Sequence, residues 1–151
     1  MLNKILNWKT ILISILLAIF IMSTLNVIRA PDKIIEDVLV SEEGSLIVMQ
    51  IKTNLPLRLE NTIPQDGPSD FIQIRVRPIS FLGADKNEYM GNEAILPGFI
   101  EQVPIMDVAY EGSVPRGPFI SLRFAEPVNF QVKEDPNLEG IMIYFPKKTS
   151  K

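Results

Sequence analysis

Arginine, lysine, serine and the carboxylates must carry any chemistry this chain performs, because its 151 residues include no His and no Cys. Without His the chain lacks the usual general base of hydrolases, the commonest transition-metal ligand and a histidine pH switch. Without Cys it lacks disulfides, thiolate metal sites, a thiol nucleophile and a lipid-bearing N-terminal residue. A serine nucleophile would then need a lysine or an N-terminal amine as its base. No serine has Lys three positions later, and there is no Gly-x-Ser-x-Gly elbow, Walker A loop or Gly-x-Gly-x-x-Gly. Carboxylates are plentiful, but no acid/base pair stands out. Asp135-Pro-Asn137-Leu-Glu139-Gly140 begins like a calcium loop, yet Pro136 restricts it and Pro146 stands where a bidentate Glu belongs. It reads as a hairpin turn. No catalytic residue, metal or cofactor is expected.

The residues that remain are suited to binding. Gln73, Arg75 and Arg77 alternate along one stretch, Ser121 and Arg123 along a second, and Asn129, Gln131 and Lys133 along a third. Should these stretches adjoin, they would present guanidinium and amide donors together. Arginine forks hold carboxylates bidentately, and amides suit sugar hydroxyls. Peptidoglycan, or an acidic segment of another envelope protein, would fit such a surface. The alternative is a plain solvated sheet face. A second candidate lies in residues 80–102, which show no sustained period. Phe81, Tyr89 and Phe99 there would be offered to a partner by a protruding loop. The plainer reading is an irregular hairpin whose Leu82, Ile95 and Ile100 reach the core.

Positioning those residues requires strands. Ser45–Lys52 is β-branched and apolar, entered through the turn signal Glu42-Glu43-Gly44. In Phe71–Arg77, Ile72, Ile74 and Val76 face one side and Gln73, Arg75 and Arg77 the other. Phe119–Phe124 and Val128–Lys133 alternate likewise, and Ile141–Phe145 closes the series. A period of two with one polar face is the mark of half-buried antiparallel strands. Twelve Pro and eight Gly fall mostly between these runs, where they interrupt helices and strand ladders alike. No window after Pro31 carries a capped helical stripe; Glu93-Ala-Ile95 is the nearest candidate for a single helical turn. The expected fold is all-β, an antiparallel β-sandwich or open barrel preceded by a single N-terminal apolar helix.

That helix comes from the first thirty residues. Lys4 and Lys9 precede a dense apolar run from Ile11 to Met22, and no further charge occurs until Arg29. This is the pattern of a signal-anchor or a signal peptide. A helix over 10–28 would be about 28 Å long, near the ~30 Å of membrane hydrocarbon. The candidate cleavage site at Ile28-Arg29-Ala30, followed by Pro31, is poor, so an uncleaved anchor is favoured. Residues 1–30 are thus read as the anchor and 31–151 as an exported domain. The positive flank sets the N-terminus in the cytoplasm and the remainder on the exported side. The expected place is the inner membrane, single-pass, with the C-terminal domain in the periplasm, or released there if cleaved. All 18 acidic residues lie between Asp32 and Glu139. Removing the three early cations from the 15 basic residues leaves 12 against 18, so the net −3 of the chain becomes −6 for the domain. A domain of that sign is not held to nucleic acid by bulk charge.

Ile72-Gln-Ile-Arg-Val-Arg-Pro-Ile79, Val108-Ala-Tyr110, Leu122-Arg-Phe124 with Pro127-Val-Asn-Phe130, and Ile141-Met-Ile-Tyr-Phe145 together resemble an AMIN-type domain. The order strand, Pro turn, strand is similar to the F-x-x-P-V pattern of that family, over roughly residues 34–146. Segment 80–102 and the Pro-rich 63–68 loop depart from it. The resemblance implies a small β-sandwich of the bacterial envelope that localises periplasmic enzymes or secretin machinery, with peptidoglycan as a ligand. The expected function is therefore a non-catalytic envelope binding module that helps localise or assemble cell-wall or secretion/pilus machinery. The alternative is a protein–protein adaptor of an inner-membrane or periplasmic complex, without glycan binding.

Overall fold

The computed structural model describes residues 33–79, 89–97 and 103–147. The expected N-terminal helix, with its anchor or signal role, lies outside them. Among the described residues no helix is long and apolar enough to cross a membrane. They form nine strands: β1 (Ile35–Glu43), β2 (Leu46–Thr53), β3 (Leu57–Ile63), β4 (Ser69–Pro78), β5 (Asn92–Ile95), β6 (Ile105–Glu111), β7 (Phe119–Val128), β8 (Gln131–Glu134) and β9 (Gly140–Pro146). They build two antiparallel sheets, ordered β1-β2-β9-β8 and β3-β4-β7-β6-β5. The all-β sandwich expected from alternation is the fold.

Alternation explains why the sheets face each other. Ile72, Ile74 and Val76 of β4 are buried, with Ile120, Leu122 and Phe124 of β7 beside them and Val108 and Tyr110 of β6 beyond. The four-stranded sheet answers with Ile47, Met49 and Ile51 of β2 opposite Phe145, Ile143 and Ile141 of β9. Phe124 meets Phe145 edge to face, with ring centroids 5.8 Å apart, which joins the two layers at one end of the core. Each such side chain contributes about 1.5–3 kcal/mol through burial.

Two expectations are corrected. Residues 128–133 are not one strand: β7 ends at Val128, β8 begins at Gln131, and the two belong to different sheets. Val128 and Phe130 are both buried at this corner, so the apolar alternation continues while the chain changes layer. The Glu93-Ala-Ile95 segment is not helical but strand β5, paired with β6. A few residues cannot nucleate a helix alone. Their burial also alternates, with Glu93 and Ile95 more shielded than Asn92 and Ala94. Ile95 packs against the core; Leu82 and Ile100 lie outside the described residues.

Carboxylates close both sides of the sandwich. Glu93 on edge strand β5 accepts the backbone N–H groups of Ile34 (2.5 Å) and Ile35 (3.1 Å), where edge strand β1 begins. At the opposite side Glu134 on β8 accepts the Leu59 N–H of β3 at 2.8 Å. Each sheet thus reaches the other through one glutamate at each side.

Candidate functional site

The outer face of the five-stranded sheet gathers five of the eleven residues picked out for binding. Strands β4 and β7 adjoin, in a register that sets Phe71 opposite Arg123, Gln73 opposite Ser121 and Arg75 opposite Phe119. Gln73, Arg75, Arg77 and Arg123 therefore share one face. The same rows continue into β6, where Asp107 lies beside Arg123, Ala109 beside Ser121 and Glu111 beside Phe119. On the other flank β3 sets Arg58 beside Arg77, Asn61 beside Arg75 and Ile63 beside Gln73.

The arginines are held by carboxylates of their own face. A bulge between Leu59 and Asn61 adds Glu60 to β3, and each Glu60 oxygen takes one guanidinium: Arg75 Nε at 3.1 Å and Arg77 Nε at 3.2 Å. Arg123 Nε lies 3.7 Å from Asp107. These pairs are partly exposed, so each contributes only about 0–1 kcal/mol. Their effect is to hold the guanidinium planes in place. Ser121 is buried and donates from its hydroxyl to Glu111 at 2.6 Å, fastening β7 to β6.

Phe71 and Ile63 were not picked out from sequence, yet both belong to this surface, 42% and 52% exposed. Phe71 has the same strand parity as Gln73, Arg75 and Arg77, so alternation alone placed it there. An exposed ring beside Arg123, with an amide and a further guanidinium along the strand, can stack on an apolar ring face and donate to hydroxyls or carboxylates. Glu60 carried no such signal, because the bulge that delivers it breaks the period.

The other picked residues lie elsewhere. Gln131 is on β8 in the four-stranded sheet, opposite Tyr144, and does not join the arginine face. Lys133, on the same strand, stands over the Tyr144 ring at 4.9 Å. Tyr89 is half-buried against the core, and its carbonyl accepts the Tyr110 hydroxyl at 2.8 Å. Phe81 and Phe99 lie outside the described residues. Burial pushes the Tyr110 hydroxyl well above the usual tyrosine range, with Glu93 and Tyr89 adding to the shift. Residues 135–140 form the expected hairpin turn, in which buried Asp135 accepts the Asn137 N–H (2.7 Å) and the Gln50 side-chain amide (2.9 Å). No group of three or more acidic residues able to hold a metal occurs among the described residues. A cavity of about 200 Å³ opens at one end of the sandwich between Val103, Pro127, Phe145 and Lys147.

Compared with protein-family models, with curated proteins and with solved structures, the chain matches none.

Proposed function

We propose that this chain is a non-catalytic binding module of the bacterial cell envelope. Its N-terminal apolar segment holds it at the inner membrane, and its β-sandwich works in the periplasm to localise or assemble cell-wall or secretion/pilus machinery. The ligand is peptidoglycan, bound on the outer face of the five-stranded sheet. One observation carries this reading: an exposed aromatic ring, Phe71, lies directly beside Arg123 and two positions from Gln73, with Arg75 and Arg77 further along β4. Sugar rings stack on such a platform, and stem-peptide carboxylates suit guanidinium forks. The AMIN-type resemblance of residues 34–146 points to the same compartment and ligand.

Sedimentation of the full chain with isolated sacculi tests the proposal. The combined variant Arg75→Ala, Arg77→Ala, Arg123→Ala should lose roughly tenfold or more in retention, because each charge-assisted contact is worth about 1.5–3 kcal/mol. Phe71→Ala should weaken retention while leaving the melting temperature nearly unchanged. Retention equal to wild type in both variants would refute the assignment of this face.

A further inference from the structure

We propose that Arg58 and Arg77 form a carboxylate-binding site at the β3 edge of this sheet, which shares Arg77 with the face described above and adds Arg58. The two arginines are direct cross-strand neighbours in the β3–β4 register. Like charges placed directly opposite each other disfavour a sheet, so the pair needs compensation. It receives less than it requires. Among the described residues Arg58, Arg75 and Arg77 share two carboxylates, Glu60 and Glu134, which leaves one positive charge in excess there.

The shortfall falls on Arg58. Both oxygens of Glu60 are taken by Arg75 and Arg77. Glu134 Oε2 already accepts the Leu59 N–H at 2.8 Å and lies 4.0 Å from Arg58 Nε, the longest of the ion pairs described here. Arg58 and Arg77 also bound an open cleft of about 360 Å³ with Pro78 and Ile79, and their side chains are 51% and 61% exposed. A monoanion with two coplanar oxygens supplies what this edge lacks. It would match the single excess charge and accept from one guanidinium per oxygen, replacing a long contact to Glu134 that water already screens. Neither residue needs to move through the fold to do so, since the cleft opens to solvent.

This site shares Arg77 with the proposed peptidoglycan face, but its test is separate from that reading. A titration with a small carboxylate contains no sugar and no polymer, so sacculus binding can fail while this site stands, and the reverse. The test follows the arginine Nε–Hε resonances of the full chain in non-ionic detergent, titrated with sodium acetate or inorganic phosphate at constant ionic strength. Acetate should produce saturating shifts at Arg58 and Arg77 and only small linear shifts at Arg123. Arg58→Gln should weaken acetate binding at Arg77 by roughly tenfold or more. Arg58→Lys, which keeps the charge and loses the fork, should also weaken it. Equal unsaturated shifts at all arginines, or saturation unchanged in Arg58→Gln, would overturn the site. Tighter binding of phosphate than of acetate would overturn its assignment to carboxylates.

Discussion

Tyr110 shows how one side chain serves both packing and polarity. Its ring fills the core beside Ile120, while its hydroxyl reaches the Tyr89 carbonyl. Tyr110→Phe should cost about 1 kcal/mol, the net worth of one neutral hydrogen bond, read from the urea midpoint. The sign of the pH effect follows from the raised pKa of the folded state. Protonated tyrosine is the form the fold accepts, so its stability is fully present below the unfolded pKa of about 10. It is lost as pH rises beyond that value, and Tyr110→Phe should flatten the alkaline limb of the melting curve. Glycine gives a second contrast. A Cβ on Gly140 would collide with the Ile51 carbonyl, whereas one on Gly91 would meet nothing within 4 Å. Gly140→Ala should therefore cost roughly 1–3 kcal/mol by overpacking, and Gly91→Ala should stay within about 0.5 kcal/mol of wild type.

The strands facing solvent on only one side were legible because their alternation is clean; β4, β9 and β7 as far as Phe124 could be traced residue by residue. Strands β1, β3, β5 and β6 were not. Strand β1 mixes Glu36, Asp37, Glu42 and Glu43 with Val38, Leu39 and Val40, as an edge strand with one free ladder can. A bulge interrupts β3, and β5 has only four residues. The site divides along the same line. Gln73, Arg75, Arg77 and Arg123 were found from parity, while Gln131 was assigned to the wrong neighbours because alternation says nothing about which sheet a strand joins. The edge glutamates lay beyond sequence reading for a related reason: their partners are backbone donors more than fifty residues away. Glu93→Ala leaves two N–H groups of the β1 start without an acceptor and should cost about 1.5–3 kcal/mol. Hydrogen exchange should then quicken at Ile34 and Ile35. Glu134→Ala should do the same at Leu59 on the other side and leave Ile34 protected. Simultaneous loss of protection at both sides in either variant would mean that the two contacts act as one unit.

For the molecule as a whole, charge separates surfaces that composition blends. A domain of net −6 nevertheless displays four arginines on one sheet face, each within reach of a carboxylate. The face is thus a set of oriented donors and not a bulk cationic field.

Strand order also sets a timetable. β9, the last strand, lies between β2 and β8, and Leu46 pairs with Pro146, a hundred residues further on. Until that strand arrives, β1 and β2 are a bare hairpin, β8 has no partner, and one whole layer of the core stands open to water. The four-stranded sheet of this sandwich therefore cannot close before β9 has been made.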